Sequence, residues 1–168
     1  MDELGRLSTE EMQQSEKHNI IVILDDVRSM HNVGSVFRTS DGFAVAALYL
    51  CGYTPLPPHR DIHKTALGAT DTVQWKHFAT ATDAVKSARE AGYKIWAVEQ
   101  AHNSTSLEKV DYKNEKIALV FGNEVAGVSE AAIKAADGCL EIPQWGAKHS
   151  LNISIAVGVV LWEMVRKL

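Results

Sequence analysis

Asn32 and Arg38 are two residues whose types and spacing could do chemistry. They stand on either side of the start of a predicted helix, directly after an apolar strand. The free N–H groups at a helix start can bind an anion, and an arginine further along can add bidentate contacts to a phosphate. Taken alone, the pair is explained more simply by a capping asparagine and a surface arginine.

Two later loops carry further candidates. Gly122-Asn-Glu124 follows a strongly apolar run, and a glycine at that point lets a ligand approach the backbone closely. The loop before the last predicted helix carries four polar side chains, Lys148, His149, Ser150 and Asn152. In an open α/β sheet, ligands collect beyond the carboxyl ends of the strands. All three loops are predicted to lie at such ends, so the sequence predicts one shared site.

The usual nucleotide and metal signatures are missing from the sequence. No G-x-G-x-x-G follows a strand and there is no G-x-x-x-x-G-K-[ST] run. There is also no G-x-S-x-G elbow and no zinc-ligand spacing. The Asp25-Asp26 pair at a strand end could hold a metal or do acid–base chemistry, although such residues more often cap the following turn. We therefore predict no metal site.

Strands alternate with helices along the chain, which predicts an α/β fold with a mostly parallel sheet flanked by helices. Residues 19–25 and 116–121 are continuous apolar runs that predict strands buried on both faces. Further strands are predicted at 46–51, 73–78, 94–99 and 139–142, helices at 33–45, 80–91, 129–136 and 150–168, and long loops at 52–72 and 100–115. Residues 1–18 are predicted to be a polar extension that forms a short exposed helix, with a capping box at Ser8. We predict a single domain over residues 1–168.

The last predicted helix is apolar on almost every side. A helix with one apolar stripe lies on a surface, whereas one that is apolar all round must be covered on every side. In a chain of 168 residues the sheet can cover one side, and a second subunit is the simplest cover for the other. The sequence therefore predicts a homodimer.

The composition limits the class of protein. A hydrophobic content of 46% and a charged content of 23% are ordinary globular values, and a net charge of −4 argues against nonspecific coating of nucleic acid. Cys51 and Cys139 lie in apolar runs and are predicted to be reduced core residues. The acidic N-terminus is unlike a signal peptide, and the last helix is too short to span a bilayer. We expect a cytoplasmic protein without membrane contact.

Three stretches together resemble the motifs of one enzyme family. They are Asn32-Val-Gly-Ser-Val-Phe-Arg38-Thr-Ser-Asp41, Val120-Phe-Gly122-Asn-Glu124-Val-Ala-Gly-Val, and Ile142-Pro-Gln followed by His149-Ser150-Leu-Asn152-Ile-Ser. In order and spacing they resemble motifs 1, 2 and 3 of the SpoU (TrmH) family of RNA ribose 2′-O-methyltransferases. The similarity runs from residue 19 to the end, and the run Lys64-Thr-Ala-Leu-Gly-Ala69 also resembles members of this family.

The resemblance implies the SPOUT α/β fold with a deep C-terminal trefoil knot, a homodimer, and S-adenosylmethionine as the cofactor. It implies that four residues line the cofactor pocket: Val98, Gly122, Ile142 and Leu151. Arg38 matches the family's catalytic arginine, and four residues would hold it and the ribose in place: Asn32, Glu124, Ser150 and Asn152. Because the pKa of arginine exceeds about 12, we interpret Arg38 as a grip on the RNA phosphate and the forming alkoxide, and not as a general base.

An acidic protein needs locally placed cations to contact RNA, and five candidates flank the motifs: Arg28, Arg60, Lys64, Lys148 and His149. For Arg60 and Lys64, a solvated loop is an equally fair interpretation. RNA binding should weaken as salt rises. We expect no extra N-terminal RNA-binding domain of the kind found in some relatives, so the catalytic dimer itself would recognise the RNA. We favour tRNA over rRNA as substrate; a catalytically silent RNA-binding protein and a small-molecule enzyme are the rival interpretations.

Overall fold

The computed structural model describes residues 7–148 and 150–168 as one parallel sheet with helices on both faces. Its strands are β1 (His18–Asp25), β2 (Val45–Cys51), β3 (Trp75–Phe78), β4 (Lys94–Val98), β5 (Thr105–Ser106), β6 (Ile117–Phe121) and β7 (Gly138–Glu141). Its helices are α1 (Thr9–Gln14), α2 (Met30–Gly42), α3 (Arg60–Ala66), α4 (Ala69–Thr72), α5 (Ala81–Glu90), α6 (Glu130–Ala135) and α7 (Ile153–Val165), with a 3₁₀ turn at Leu107–Lys109. The strand order is β3-β2-β1-β6-β4-β7-β5, and every pairing is parallel. The predicted α/β class is confirmed.

The two central strands, β1 and β6, are buried on both faces, as their apolar sequences predict. In β1, Val22 and Leu24 belong to the core layer beneath α2, α3 and α7, whereas Ile21 and Ile23 belong to the layer beneath α5 and α6. This alternation follows from the two-residue period of a strand. Helices α2 and α7 pack beside each other on one face, and that pairing brings the first and third motifs together.

The prediction of a loop over residues 52–72 is wrong, because the segment contains α3 and α4. The ring of His59 accepts the N–H of Asp61 at 3.2 Å and so caps α3. The helix ends where Leu67 and Gly68 take positive φ angles of 50° and 89°. Gly34 of α2 packs against this helix so tightly that an added Cβ would overlap it. The family-like run 64–69 therefore serves helix packing.

The start of the last helix also differs from the sequence prediction. The last helix begins at Ile153 and not at Ser150, because the side chain of Asn152 caps it by accepting the N–H of Ser154 at 2.9 Å. At the other end of the chain, α1 has the predicted capping box between Ser8 and Glu11. Residues 1–6 lie outside the described part of the chain.

Within residues 7–148 and 150–168, no helix has both the length and the apolar content needed to cross a bilayer. The deep knot, the single-domain organisation and the second subunit stay predictions at this point.

Candidate functional site

The three predicted loops meet through a set of hydrogen bonds that we call the polar junction, formed by Asn32, Glu124 and Asn152. The carboxylate of Glu124 accepts the backbone N–H groups of Arg28 and Ser29 at 3.2 and 3.1 Å. It also accepts the Nδ2–H of Asn32 at 3.1 Å, and the Oδ1 of Asn32 accepts the Nδ2–H of Asn152 at 3.2 Å. Residues separated by 92 and 120 positions in the chain are therefore in direct contact.

The polar junction also sets the charge state of Glu124. Partial burial on its own would raise the pKa of this carboxyl. The N–H groups of Glu124 itself, Arg28 and Ser29, together with the amide of Asn32, outweigh burial and hold the pKa below its ordinary value. Glu124 is therefore a fixed negative charge at neutral pH. It anchors the backbone directly before α2, and its negative charge lies near the N-terminus of that helix.

A cavity of about 630 Å³ lies beyond the carboxyl ends of β6, β4 and β7. One wall is made by residues 98–100 and 121–128, and the other by residues 140–142, 144, 150–153 and 156. The lining combines apolar side chains with backbone groups of the turns. Because three neighbouring parallel strands end here, this is the expected place for a ligand in an open α/β sheet.

The turn over residues 123–128 is held by contacts that the sequence does not reveal. Asn123 and Gly127 exchange both of their backbone hydrogen bonds at 2.9 Å, and an added Cβ on Gly122 would overlap the backbone of Gly127. Gly122 is thus required by this close backbone approach, in addition to any contact with a ligand. The carboxylate of Glu99, at the end of β4, accepts the N–H of Val128 at 3.0 Å and so ties the turn to the sheet.

Glu99 and Asn123 are the site residues that sequence reasoning missed. The side-chain oxygen of Asn123 accepts the N–H groups of Val125 and Ala126, while its Nδ2–H donates to the carbonyl of Asp26 at 2.7 Å. An asparagine that begins a turn is a local signal that could have pointed to this role. Glu99 carries no such signal, since its partner lies 29 residues further along the chain.

All four residues predicted to hold the cofactor line the cavity: Val98, Gly122, Ile142 and Leu151. Three of the predicted catalytic residues line it as well: Glu124, Ser150 and Asn152. Asn32 lies one hydrogen bond behind them. Arg38 is different, because its exposed side chain on α2 is not part of the cavity wall and has no hydrogen-bond or ion-pair partner among the residues described.

The predicted RNA-contacting cations divide into two places. Arg28 stands at the polar junction and Lys148 stands in the loop that precedes Ser150, and both side chains are exposed. Arg60 and Lys64 lie on α3, where Lys64 forms an exposed ion pair with Asp61 at 2.7 Å. The remaining candidate, His149, lies outside the described residues.

The Asp25-Asp26 pair has a structural role. Asp25 accepts the N–H of Ser129 at 2.8 Å, and Asp26 accepts the N–H of Tyr53 at 2.7 Å. The part of the chain that the structure describes contains no group of three or more His, Cys, Asp or Glu side chains placed to hold a metal ion.

Both cysteines are free thiols. Burial, reinforced by Asp25 and Asp26, raises the pKa of Cys51, and burial beside Glu99 raises the pKa of Cys139. A cysteine nucleophile is disfavoured at neutral pH, because the thiolate is the reactive form.

The fold and site define an α/β domain with a ligand cavity at the carboxyl edge of its parallel sheet. Comparison with known proteins makes the class specific. The chain belongs to the SpoU rRNA Methylase family, whose sequence profile matches residues 19–162.

Several similar proteins are named as RNA methyltransferases. The chain is 30% identical over 165 residues to the tRNA (guanosine(18)-2′-O)-methyltransferase of Thermus thermophilus, covering 98% of this chain and 84% of that protein. It superimposes with a TM-score of 0.84 on an AdoMet-bound rRNA methyltransferase of Sinorhizobium meliloti, with 30% identity, over 94% of this chain but only 60% of that one. A solved structure that concerns the 2-OH methylation of C/U34 on tRNA matches this chain with a TM-score of 0.76 and 26% identity, over 88% of this chain and 95% of that one.

Proposed function

We propose that this protein is an S-adenosylmethionine-dependent RNA ribose 2′-O-methyltransferase. The observation that carries the proposal is the polar junction: side chains from three distant motifs of one RNA methylase family meet at the mouth of one cavity. The names of the similar proteins support the same reaction class.

The cavity fits the cofactor in size and chemistry. Its volume of about 630 Å³ lies within the range of small-molecule sites. Val98, Ile142 and Leu151 would hold the adenine against apolar side chains and neighbouring backbone groups, and Gly122 would border it. When bound, S-adenosylmethionine supplies an electrophilic methyl group. The protein then has to align the ribose hydroxyl with that group and help to remove its proton.

Arg38 is the residue that we assign to the charge that develops on the ribose oxygen. Its guanidinium stays protonated, so it can stabilise an alkoxide and hold the adjacent RNA phosphate, but it cannot take the proton. Helix α2, which carries Arg38, packs beside α7. A subunit bound to the outer face of α7 would therefore lie next to Arg38. In such a dimer Arg38 would serve the cavity of the partner subunit, although it does not line the cavity of its own chain.

The outer face of α7 supports a homodimer. Ile153, Val157 and Val160 of this helix are buried against the sheet. Ile155 and Trp162, on the other side, are 57% and 62% exposed. An exposed apolar stripe on an otherwise core-like helix indicates a protein–protein contact. A second copy of the chain, with its own outer face of α7, is the partner that we propose.

We favour tRNA as the substrate and keep rRNA as the alternative. The solved structure that concerns 2-OH methylation of tRNA is matched by this chain over 95% of its own length. A protein connected with tRNA methylation can therefore be about as long as this chain. On a chain whose net charge is −4, the exposed residues Arg28 and Lys148 are the cations near the cavity that we propose to bind RNA phosphates.

The test is transfer of labelled methyl groups from S-adenosylmethionine to the tRNA and rRNA fractions of a strain that lacks the gene. We expect label in the tRNA fraction as 2′-O-methylnucleotide. Arg38→Ala should reduce turnover at least about 100-fold and leave cofactor affinity within about threefold, since one preorganised transition-state donor contributes that much. Arg38→Lys should also be poor, because a point charge cannot reproduce the planar fork.

Other outcomes would reject the assignment. RNA binding without methyl transfer would indicate a silent RNA-binding protein, and methyl transfer to a small molecule without RNA would indicate a different enzyme class. A loss of cofactor affinity in Arg38→Ala would contradict the role given to this residue.

A further inference from the structure

Trp145 is the most exposed tryptophan of the chain. Its side chain is 92% exposed, compared with 62% for Trp162, whereas Trp75 and Trp96 are half-buried against the core. Tryptophan is on average a highly buried residue, because exposing its large apolar surface to water is unfavourable. An almost fully exposed indole therefore calls for a reason other than packing within this chain.

The position of Trp145 connects it to the cavity. It follows Gln144, which lines the cavity, and precedes Ser150, which lines it from the other end of the same loop. Val125, which is 95% exposed, borders the cavity from the turn over residues 123–128. Trp145 itself does not line the cavity, so its indole lies outside the space that the cofactor would fill and next in sequence to the wall.

The surroundings of Trp145 distinguish it from the apolar stripe of α7. Its loop neighbours Gly146, Ala147 and Lys148 are small or charged, and all are exposed. The exposed apolar stripe of α7 lies further along the chain, beyond exposed Ser150. Lys148 lies in the same exposed loop as Trp145, and a partner that covered the loop would have to pair this charge, because burying an unpaired charge is costly. An RNA strand would pair that charge with a phosphate.

We propose that Trp145 is a stacking platform for a nucleobase of the RNA substrate, either the target base or its immediate neighbour. The inference rests on the proposed function. Proteins that recognise single-stranded RNA loops commonly take a nucleotide out of the regular stack, and its exposed base then stacks on an aromatic side chain. An aromatic face provides this contact for any base, so the contact positions the nucleotide without selecting its identity. Trp145 is in this sense a positioning residue.

The experiment compares Trp145→Ala, Trp145→Phe and Trp145→Leu. Each variant is assayed for methyl transfer to unmodified tRNA, for binding of fluorescently labelled tRNA, and for binding of S-adenosylmethionine by calorimetry. Trp145→Ala should weaken tRNA binding and raise the KM for tRNA by about 5- to 150-fold, which corresponds to one base stacked on an aromatic ring. The kcat at saturating tRNA and the cofactor affinity should stay within about threefold of wild type. Trp145→Phe should recover most of the loss, whereas Trp145→Leu should resemble Trp145→Ala.

Several results would overturn the inference. If leucine restores binding as well as phenylalanine does, the contact is apolar and not a stack. If Trp145→Ala dissociates the dimer in light scattering, the residue belongs to the subunit contact. If cofactor affinity falls, it belongs to the cavity wall. If the wild type binds tRNA through Trp145 but methylates no RNA, the stacking inference is supported and the proposed function fails.

Discussion

Replacing Glu124 by glutamine tests whether the polar junction holds the site together. The carboxylate oxygen Oε1 accepts from Ser29 and Asn32, and Oε2 accepts from Arg28. A glutamine can keep the first pair through its single carbonyl oxygen. Its amide N–H₂ would then face the N–H of Arg28, donor against donor, so one charge-assisted bond is lost and two become weaker.

The size of the effect follows from these bonds. Hydrogen bonds to a charged group contribute about 1.5–3 kcal/mol each, and the exposure of Glu124 reduces this through competition with water. We expect Glu124→Gln to lower the free energy of unfolding by about 1–2 kcal/mol, or the Tm by about 2–8 °C for a domain of this size. The measurement is thermal unfolding at one fixed protein concentration, because a dimer's Tm depends on concentration.

The pH dependence gives an independent check. The pKa of Glu124 is lowered in the folded protein, so its stabilisation is fully present above the unfolded value of 4.5 and is lost as pH falls through the lower folded value. The Tm difference between wild type and Glu124→Gln should therefore be constant above about pH 4.5 and shrink as the pH falls below it.

The matched control for this change is Glu130→Gln. Glu130 forms an exposed pair with Lys134, and its replacement should move the Tm by no more than about 2 °C. An equal Tm for wild type and Glu124→Gln at neutral pH, or a difference that persists in acid, would refute the role assigned to the carboxylate.

The remaining predictions concern the turn and the dimer. Gly122→Ala should lower the Tm by about 3–10 °C and weaken cofactor binding, because the added methyl overlaps the backbone of Gly127. At Gly146, where an added Cβ would meet no other group, the same change should leave the Tm and the cofactor affinity unchanged in calorimetry. Ile155→Glu should convert a dimer into monomers in light scattering, since it places a charge on the exposed stripe of α7, whereas Leu7→Glu should leave the dimer intact. A dimer that survives Ile155→Glu would contradict the proposed interface.

The sequence was sufficient to predict the central strands and the convergence of the three loops. Residues 19–25 and 116–121 are too uniformly apolar for any place but the middle of a sheet. Parallel strands end at one edge, so polar residues after them had to meet. The four cavity residues, by contrast, were predicted only through family resemblance, because backbone contacts leave little trace in side-chain types.

Other features were beyond sequence reasoning for physical reasons. Helix α3 follows a proline-rich stretch and starts at a histidine cap, a combination that reads as a loop. The tie between Glu99 and Val128 is long-range and has no local pattern. The distance of Arg38 from its own cavity depends on how α2 rotates against α7, which a motif alone does not specify.

The order in which the cavity walls occur along the chain has a consequence for folding. The strands beneath the cavity end at residue 141, but residues 150–156 must still pack against them before the second wall is formed. Contacts spanning 120 positions, such as that between Asn32 and Asn152, raise the contact order and slow this last step. A ligand that binds only the closed form must then shift the docking equilibrium by mass action. A methyl donor bound in the finished cavity would thus stabilise the docked C-terminal segment.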